Sequence, residues 1–290
     1  MGSIPVTIFR GTRIFMRTRV AAAFFLCLVA CLAATPAYAQ YGARGLSDRA
    51  TGETYKVELG GFLWNPTPNI GISSESIPIV GQTATRIDFV TDLGIQKSRF
   101  NQIKAVLRPS TKFKFRFEYT PIKYDAEGVI ARDVIFNGII YPVALPVQTD
   151  MTWKAYRFGI EYDFIYRDRG FFGVVLEAKY TDVEARLTNI ISNEFVRARA
   201  PIPAIGAIGR VYVAPNISIT GEFSGFKLPE SIDESYRAKY YDFDLYGTVN
   251  FTHHAGVQAG YRSFDVFYRM DGDEGALTMK GPYFGGVVRF

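Results

Sequence analysis

The chain has 290 residues, of which 33 are Lys or Arg, 28 are Asp or Glu, two are Cys and 15% are aromatic. Four of the basic residues, none of the acidic residues and both cysteines precede residue 40, so the remainder carries 29 basic against 28 acidic groups. That near-neutral remainder indicates no nucleic-acid partner. Because it contains no cysteine, disulfides, cysteine metal sites and thiol catalysis are excluded there.

Residues 1–39 contain the three parts of a secretory signal peptide. Two arginines precede an apolar stretch from Val20 to Ala34, and Ala37 and Ala39 supply the small side chains of a signal-peptidase site. The apolar stretch is shorter than the ~20 residues that a membrane-spanning helix needs. We therefore predict Sec export and removal of residues 1–39, with Met16 as an alternative start of the protein.

Cys31 leaves a second processing route open. Leu28 to Cys31 resembles a lipoprotein signal, in which Cys31 would be lipidated and become the first residue. Against this, the apolar stretch continues past Cys31 and an Ala-x-Ala site follows it. Signal-peptidase cleavage is the favoured prediction, and it leaves residues 40–53 as a periplasmic N-terminal segment.

The rest of the chain contains segment after segment with a strict two-residue alternation, which is typical of strands with two different faces. In residues 112–119, four aromatic residues alternate with Lys112, Lys114, Arg116 and Glu118. A soluble sandwich would bury the apolar face, whereas a membrane barrel turns it toward lipid and the charged face toward the lumen. The export signal and the aromatic end of the chain favour the membrane barrel.

Tight connections alternate with longer polar ones, as outer-membrane barrels alternate short periplasmic turns with long extracellular loops. We predict an all-β fold, a transmembrane antiparallel up-and-down β-barrel of about ten strands within residues 54–290. Between eight and twelve strands fit the pattern, with twelve if residues 87–95 form a separate strand. The predicted strands are 54–64, 99–108, 111–137, 143–166, 170–184, 203–213, 216–227, 239–252, 254–269 and 277–290.

The predicted strands 111–137 and 143–166 are more than twice as long as the ~9–11 residues that a tilted span needs, so the hairpin around Ile135 is predicted to project outside the cell. Aromatic residues lie near the predicted strand ends, where their rings settle at the headgroup level of a membrane. The predicted girdle comprises Tyr119, Tyr124, Trp153, Tyr156, Tyr166, Phe171, Tyr180, Phe226, Tyr240 and Tyr268.

The charged strand faces define a candidate lumen. Charges of both signs in a confined space are expected to pair, because an unpaired charge away from water is costly. A ten-stranded barrel is close to the width that side chains alone can fill. Two interpretations remain, a salt-bridged filling and a narrow path for ions or small polar solutes. The predicted lumen-lining residues are Lys112, Lys114, Arg116, Glu118, Arg157, Glu161, Asp163, Glu177, Lys179, Glu222, Asp242, Asp244 and Arg262, with Lys56, Glu58, Lys104 and Arg210 as further candidates.

The sequence indicates no catalytic or metal site and no cofactor. The two histidines, His253 and His254, are adjacent in a predicted periplasmic turn, and neighbours on a strand point to opposite faces. The chain has neither a Gly-x-Ser-x-Gly elbow nor a His-Glu-x-x-His motif. Residues 271–275 are acidic but lack the spacing of a calcium loop. We therefore predict a protein that is not an enzyme, with an outer-membrane lipid-modifying enzyme as the remote alternative.

The final strand, residues 280–290, resembles the assembly signal of bacterial outer-membrane barrels, because Phe284, Val288 and the terminal Phe290 share one face. Other short motifs are similar to those of small barrels of the OmpW and opacity-protein type. They are Asp92-Leu-Gly94, Tyr162-Asp-Phe164, Gly260-Tyr-Arg262 and Gly281-Pro282.

This resemblance implies an outer-membrane location, assembly by the barrel-assembly machinery, and contact with outer-membrane lipid and lipopolysaccharide. OmpW-like proteins have eight strands and a hydrophobic lumen, from which the charged faces and about ten strands of this chain depart. The function that we expect is structural or surface contact by a barrel with a charged, narrow or closed lumen. A low-conductance pore for ions or small polar solutes is the alternative.

Overall fold

The computed structural model describes residues 50–73, 86–129, 132–136, 139–143, 146–188, 193–228, 237–270 and 273–290. These residues all belong to one unit of the chain, Leu46–Phe290. Within these ranges no helix has the length and apolar character to cross a membrane. The predicted signal peptide lies outside the described residues, including Met16, Cys31, Ala37 and Ala39.

The alternating segments form strands throughout the described residues. The strands are β1 (Val57–Trp64), β2 (Thr67–Ser73), β3 (Ile87–Asp88), β4 (Phe100–Leu107), β5 (Phe113–Val129), β6 (Val134–Phe136), β7 (Ile139–Tyr141), β8 (Pro146–Arg167), β9 (Gly170–Thr188), β10 (Asn193–Ala214), β11 (Ile217–Lys227), β12 (Arg237–Asn250), β13 (Ala255–Met270) and β14 (Asp273–Arg289).

The first and last strands pair and close the sheet into a barrel. β14 pairs with β1 along its second half and with β2 along its first half, both antiparallel. β1 and β2 thus form one wall strand, interrupted at Pro66, which has no amide hydrogen for the ladder. Together with β4, β5 and β8 to β14 they give ten wall strands, all antiparallel and in sequence order. The predicted ten-stranded barrel is confirmed. Among the described strands, the two-residue β3 pairs with β2 alone and is not part of the wall.

Several strands extend beyond their predicted ends. β9 and β10 pair as far as Thr188 and Asn193, where a loop at residues 185–203 was expected. β13 and β14 pair as far as Met270 and Asp273, where another loop was expected. Beyond the membrane both faces of a strand meet water, so the alternation ends although the backbone ladder continues. Near Ile135 the chain forms a separate two-stranded sheet of β6 and β7.

The two barrel ends differ. The short turns at residues 108–112, 168–169, 215–216 and 251–254 lie at the end that also contains Phe290. Outer-membrane barrels have short turns at the periplasmic end. The end with the short turns is therefore called the periplasmic end, and the opposite end the extracellular end.

The outer surface of the wall is an apolar belt. Leu176 is 48% exposed and Leu245 is 47% exposed, whereas their neighbours Glu177 and Asp244 are each 1% exposed. The three residues of the predicted assembly signal, Phe284, Val288 and Phe290, are also on the outer surface. In water such a surface would be unfavourable, whereas apolar residues on the outer face suit a lipid bilayer.

The aromatic girdle is only partly as predicted. Tyr119, Tyr156 and Tyr180 form a row on neighbouring strands, with ring centroids 4.7 Å and 6.3 Å apart, and Tyr180 is on the exposed face. The girdle prediction is wrong for four others, which are buried, because closeness to a strand end does not determine the face on which a side chain lies. These four are Tyr124, Trp153, Phe171 and Tyr240.

Replacing the belt residue Leu176 with Arg should lower the free energy of unfolding in lipid bilayers by about 2–4 kcal/mol, the cost of a cation near the middle of the membrane. Leu176→Met is the matched control and should change it by less than about 0.5 kcal/mol. Urea unfolding in liposomes measures both values. Equal stability of the Arg and Met variants would place this face away from lipid.

Candidate functional site

The barrel interior contains a network of ion pairs. Among the described residues the network joins nine carboxylates and nine basic groups, and each has a partner of opposite charge at 3.3 Å or less. Because the numbers are equal, the network has no net formal charge. The carboxylates are Glu53, Glu58, Glu118, Glu161, Asp163, Glu177, Glu222, Asp242 and Asp244, and the basic residues are Lys104, Arg108, Lys114, Arg116, Arg157, Lys179, Arg210, Arg262 and Arg289.

Arg157 on β8 is the centre of this network. Its guanidinium lies 3.6 Å from Glu118, 3.3 Å from Glu222 and 3.8 Å from Asp242, and its Nε donates to Glu177 at 2.5 Å. These four carboxylates come from four other strands, β5, β9, β11 and β12. The single side chain therefore connects opposite parts of the wall across the lumen.

Two further basic residues complete the centre of the network. Arg262 on β13 donates to Asp242 at 2.8 and 3.0 Å and also contacts Glu118. Lys179 lies 3.0 Å from Asp242 and 3.2 Å from Glu177. Every carboxylate here thus has at least two cations, which offsets the desolvation that burial imposes on each charge.

The network extends toward the periplasmic end through β5. Lys114 contacts Glu161 and lies 2.8 Å from Asp163. Arg116 lies 3.2 Å from Glu161 and 2.6 Å from Glu222, on opposite sides of the lumen. This arrangement follows from the strand period, because Lys114 and Arg116 both lie on the inward face of β5.

Twelve of the thirteen residues predicted to line the lumen are members of this network. The exception is Lys112, which is exposed and precedes the first residue of β5. Among the further candidates, Glu58, Lys104 and Arg210 are members, whereas Lys56 is exposed. Sequence reasoning missed three members. Arg289 was recognisable because it alternates with the outward Val288 and Phe290. Glu53 precedes the first predicted strand, and Arg108 is the last residue of predicted strand 99–108, where the turn begins.

The network leaves little free volume. A cavity of about 40 Å³ borders Lys104, Arg116 and Arg210, and one of about 30 Å³ borders Trp153 and Arg262. Each has room for a few water molecules at most, whereas ligand pockets generally measure about 300–1,000 Å³.

Glu53, in the segment before β1, closes the periplasmic end. Its carboxylate accepts hydrogen bonds from Arg210 at 2.6 Å, Tyr212 at 2.8 Å and Arg108 at 3.3 Å. Burial alone would raise the pKa of this carboxyl group, but Arg210, followed by Lys114 and Arg108, outweighs that effect and lowers the pKa to about 2. Glu53 is therefore ionised at neutral pH, as the surrounding cations require.

The backbone next to Glu53 is attached to the turns of the barrel. The Thr51 amide donates to the Pro215 carbonyl at 2.9 Å, and the Asn250 side chain donates to the Thr51 carbonyl at 2.6 Å. Gly52 has φ of 90°, and a Cβ there would lie 2.8 Å from Arg289 and Asn250. Residues 50–53 thus form a fitted cap, called the periplasmic cap below.

Residues 86–99, called the plug below, fold into the extracellular half of the barrel. Ile87, Phe89, Leu93 and Ile95 are each at most 3% exposed. They pack with inward-facing wall residues of the upper barrel, so that the interior changes from charged to apolar above the network. The wall residues include Trp64, Ile70, Phe100, Ile122, Tyr124, Val147, Met151, Trp153, Phe264 and Met279.

A bidentate ion pair holds the plug to the β5–β6 connection. Arg132 donates to the two carboxylate oxygens of Asp92 at 2.9 and 3.1 Å and to the Arg86 carbonyl at 2.6 Å. The hydrogen bond from Arg132 lowers the pKa of Asp92. Gly128 permits the close approach, since a Cβ there would lie 3.0 Å from the Leu93 carbonyl oxygen.

The histidines lie away from the interior. His253 and His254 are exposed in the turn between β12 and β13, and His254 Nδ1 lies 3.1 Å from the Arg289 carbonyl oxygen. In the described part of the chain no three His, Cys, Asp or Glu residues are arranged to hold a metal ion.

No protein-family model and no curated protein matches the chain. Among solved structures, the outer-membrane protease OmpT from Escherichia coli is similar with a TM-score of 0.59 and 10% identity, over 86% of this chain and 100% of that chain. The attachment invasion locus protein Ail of Yersinia pestis and Neisserial surface protein A have TM-scores of 0.35 and 0.34 at 9% and 13% identity, over 81% of this chain and 99% and 97% of theirs.

At 10% identity the likeness to OmpT shows the fold alone. The predicted antiparallel β-barrel fold is thus confirmed.

Replacing Arg157 with Met should lower the free energy of unfolding by about 3–5 kcal/mol, because four buried carboxylates lose a shared cation. Lys112→Met removes an exposed charge and should change it by less than about 0.5 kcal/mol. Urea unfolding in liposomes measures both. A loss below about 1 kcal/mol for Arg157→Met would show that water already reaches these carboxylates.

The periplasmic cap should weaken in acid. The pKa of Glu53 is lowered from 4.5 to about 2 in the folded protein, so ionised Glu53 stabilises the fold above pH 4.5 and this contribution disappears as the pH falls through about 2. The stability difference between wild type and Glu53→Gln should therefore be large at pH 6 and small near pH 2. A difference that does not change with pH would contradict this assignment.

Proposed function

We propose that this protein is a closed, non-enzymatic outer-membrane barrel with a structural or surface-contact role. The observation that carries the proposal is that described residues occupy the interior at both ends and at its centre. The periplasmic cap lies at one end, the paired network at the centre and the plug at the extracellular end. Side chains fill such a barrel much as they fill the core of a soluble domain, so its work is expected at the surface.

The charge balance of the interior supports a filling over a path for ions. Ion-selective pores have rings of one sign that attract the opposite ion, whereas every charge of the described network has a counter-charge from the wall or the cap. An ion crossing the centre would have to separate pairs such as Arg116 and Glu222, which lie 2.6 Å apart. Separating a buried pair leaves uncompensated charge and is strongly unfavourable.

The absence of a catalytic role is also part of this proposal. The likeness to a protease extends to the fold alone. The only histidines of the sequence are in an exposed turn at the periplasmic end, away from the extracellular surface, where an outer-membrane enzyme of the predicted lipid-modifying kind would act.

The tall extracellular part of the wall supports surface contact. β8 and β10 have 22 residues each, about twice the length that crosses a membrane. The outward face of the wall beyond the tyrosine row carries paired charges, such as Lys123 with Asp125 on β5 at 2.9 Å and Arg199 on β10 with Asp182 on β9 at 3.2 Å. Charged side chains of this kind are stable in water, so this part of the wall is expected to extend beyond the membrane. The terminal strand with Phe290 supports recognition by the barrel-assembly machinery during biogenesis.

Single-channel recording in planar bilayers tests the proposal. Correctly folded wild type, verified by its heat-dependent gel mobility, should produce no reproducible current steps under conditions in which a known porin does. Steps whose ion selectivity changes in Lys114→Glu but not in the exposed control Lys112→Glu would overturn the closed barrel and favour the low-conductance pore.

A further inference from the structure

Lys114 on β5 lies in the interior beside two carboxyl groups of β8. Its Nζ lies 2.8 Å from a carboxylate oxygen of Asp163 and also contacts Glu161. Lys114 is 2% exposed, Glu161 is 1% exposed and Asp163 is 0% exposed. The Phe171 ring lies against the amine, with its centre 3.7 Å from Nζ. A primary amine and two carboxyl groups are thus held together where bulk water does not reach them.

The backbone of the barrel positions these groups. Glu161 is the cross-strand partner of Lys114, and Asp163 follows two residues later on the same inward face. The Asp163 amide donates to the Lys112 carbonyl at 2.8 Å. The register between β8 and β9 shifts just after Asp163, and such an irregularity re-aims a side chain. Gly173 leaves room for the carboxyl group, since a Cβ there would lie 2.6 Å from Asp163 Oδ1.

The two carboxyl groups differ in their other partners. Glu161 also lies 3.2 Å from Arg116, so it retains a counter-charge if Lys114 becomes neutral. Among the described residues, Lys114 is the basic group that pairs with Asp163. The charges of Lys114 and Asp163 can therefore disappear together without leaving any other charge of the network unpaired.

We propose that Lys114 and Asp163 form a covalent amide bond that cross-links β5 to β8. A proton passes from the Lys114 ammonium to the Asp163 carboxylate, which gives a neutral amine and a neutral acid. Nζ then attacks Cγ, a C–O bond of the carboxyl group breaks, and that oxygen departs as water. Glu161 accepts the proton that Nζ loses and delivers it to the departing oxygen. An ammonium and a carboxylate thus become an amide and one water molecule, with no oxidant or reductant.

Geometry and burial favour this reaction. The contact of 2.8 Å between Nζ and a carboxylate oxygen brings Nζ close to the adjacent carboxyl carbon. Groups held in a fixed orientation about 3–3.5 Å apart react far faster than free groups. Desolvation of a buried ion pair is costly, and the amide removes both charges. A cavity of about 40 Å³ borders Lys114 and Glu161 and has room for the water that is released.

Lys179 and Asp242 supply a matched internal control. The Lys179 Nζ lies 3.0 Å from Asp242 and 3.2 Å from Glu177, so an amine again lies beside two carboxylates in the interior. Asp242, however, accepts two hydrogen bonds from Arg262, at 2.8 and 3.0 Å, and would have to give them up to react. We expect no bond at this pair, whereas proximity alone would link both pairs equally.

Mass spectrometry of the full chain tests the proposal. Protein refolded from urea into detergent micelles is sampled over time and denatured before its mass is measured. The unfolded starting material should have the mass of its sequence, and the folded wild type should become lighter by one water molecule. Trypsin cuts after Lys and Arg, so it should release residues 113–116 joined to residues 158–167. Residues 170–186 should not be joined to residues 240–262, which contain the control pair.

Three variants separate the chemistry from the packing. Lys114→Arg keeps the positive charge but has no primary amine, so it should lose no water. Glu161→Gln cannot relay a proton and should slow the loss of water by about a hundredfold or more. Lys179→Arg changes the control pair in the same way and should lose water as fast as the wild type. Heat-dependent gel mobility verifies that each variant is folded.

Three results would overturn the cross-link. They are a folded wild type that keeps the full mass of its sequence, a loss of water that persists in Lys114→Arg, or a bond that joins Lys179 to Asp242 instead. An unchanged rate in Glu161→Gln would overturn the role of Glu161. If Lys114→Arg does not fold, the wild type alone decides, because the joined peptides identify both residues of the bond.

Discussion

A carboxylate inside a narrow barrel must lie beside a cation, because the wall excludes most of the water that would otherwise solvate it. The structure meets this requirement with residues from different strands. Arg157 has carboxylates from β5, β9, β11 and β12 around its guanidinium. The same contacts that neutralise the charges therefore hold opposite parts of the wall at a fixed distance, which makes the electrostatic and mechanical roles of this network inseparable.

Buried groups at the two ends of the interior are stabilised differently, by ion pairs at the periplasmic end and by apolar packing at the extracellular end. At the periplasmic end, Glu53 brings a carboxylate from outside the wall to Arg108 and Arg210, which would otherwise be excess positive charge. At the extracellular end, the plug supplies Phe89 and Leu93 to an apolar surface that would otherwise meet water. Without Glu53, the buried cations Arg108 and Arg210 would lose a counter-charge. Without the plug, the apolar inner surface of the extracellular half would be exposed to water.

The sequence predicts which residues form the strands of the barrel wall better than it predicts which contacts fill the interior. Alternation along residues 112–119 is a local signal, so it identifies the inward face of β5 without knowledge of its neighbours. The pairing of Glu118 with Arg262 joins positions 144 residues apart, and only closure of the barrel brings them together. Glu53 and the plug could not be recognised because neither lies in an alternating segment, and a lone Glu or a short apolar run has no period that reveals its partner.

Cross-strand register alone does not neutralise the interior charges. Arg157 is opposite Lys179, and Glu222 is opposite Asp244. The two cations both lie beside Asp242 on β12, whereas the two carboxylates have cations from β5 and β4. Neutralisation of the interior therefore depends on closure of the barrel, because only closure brings charges from distant strands together across the lumen.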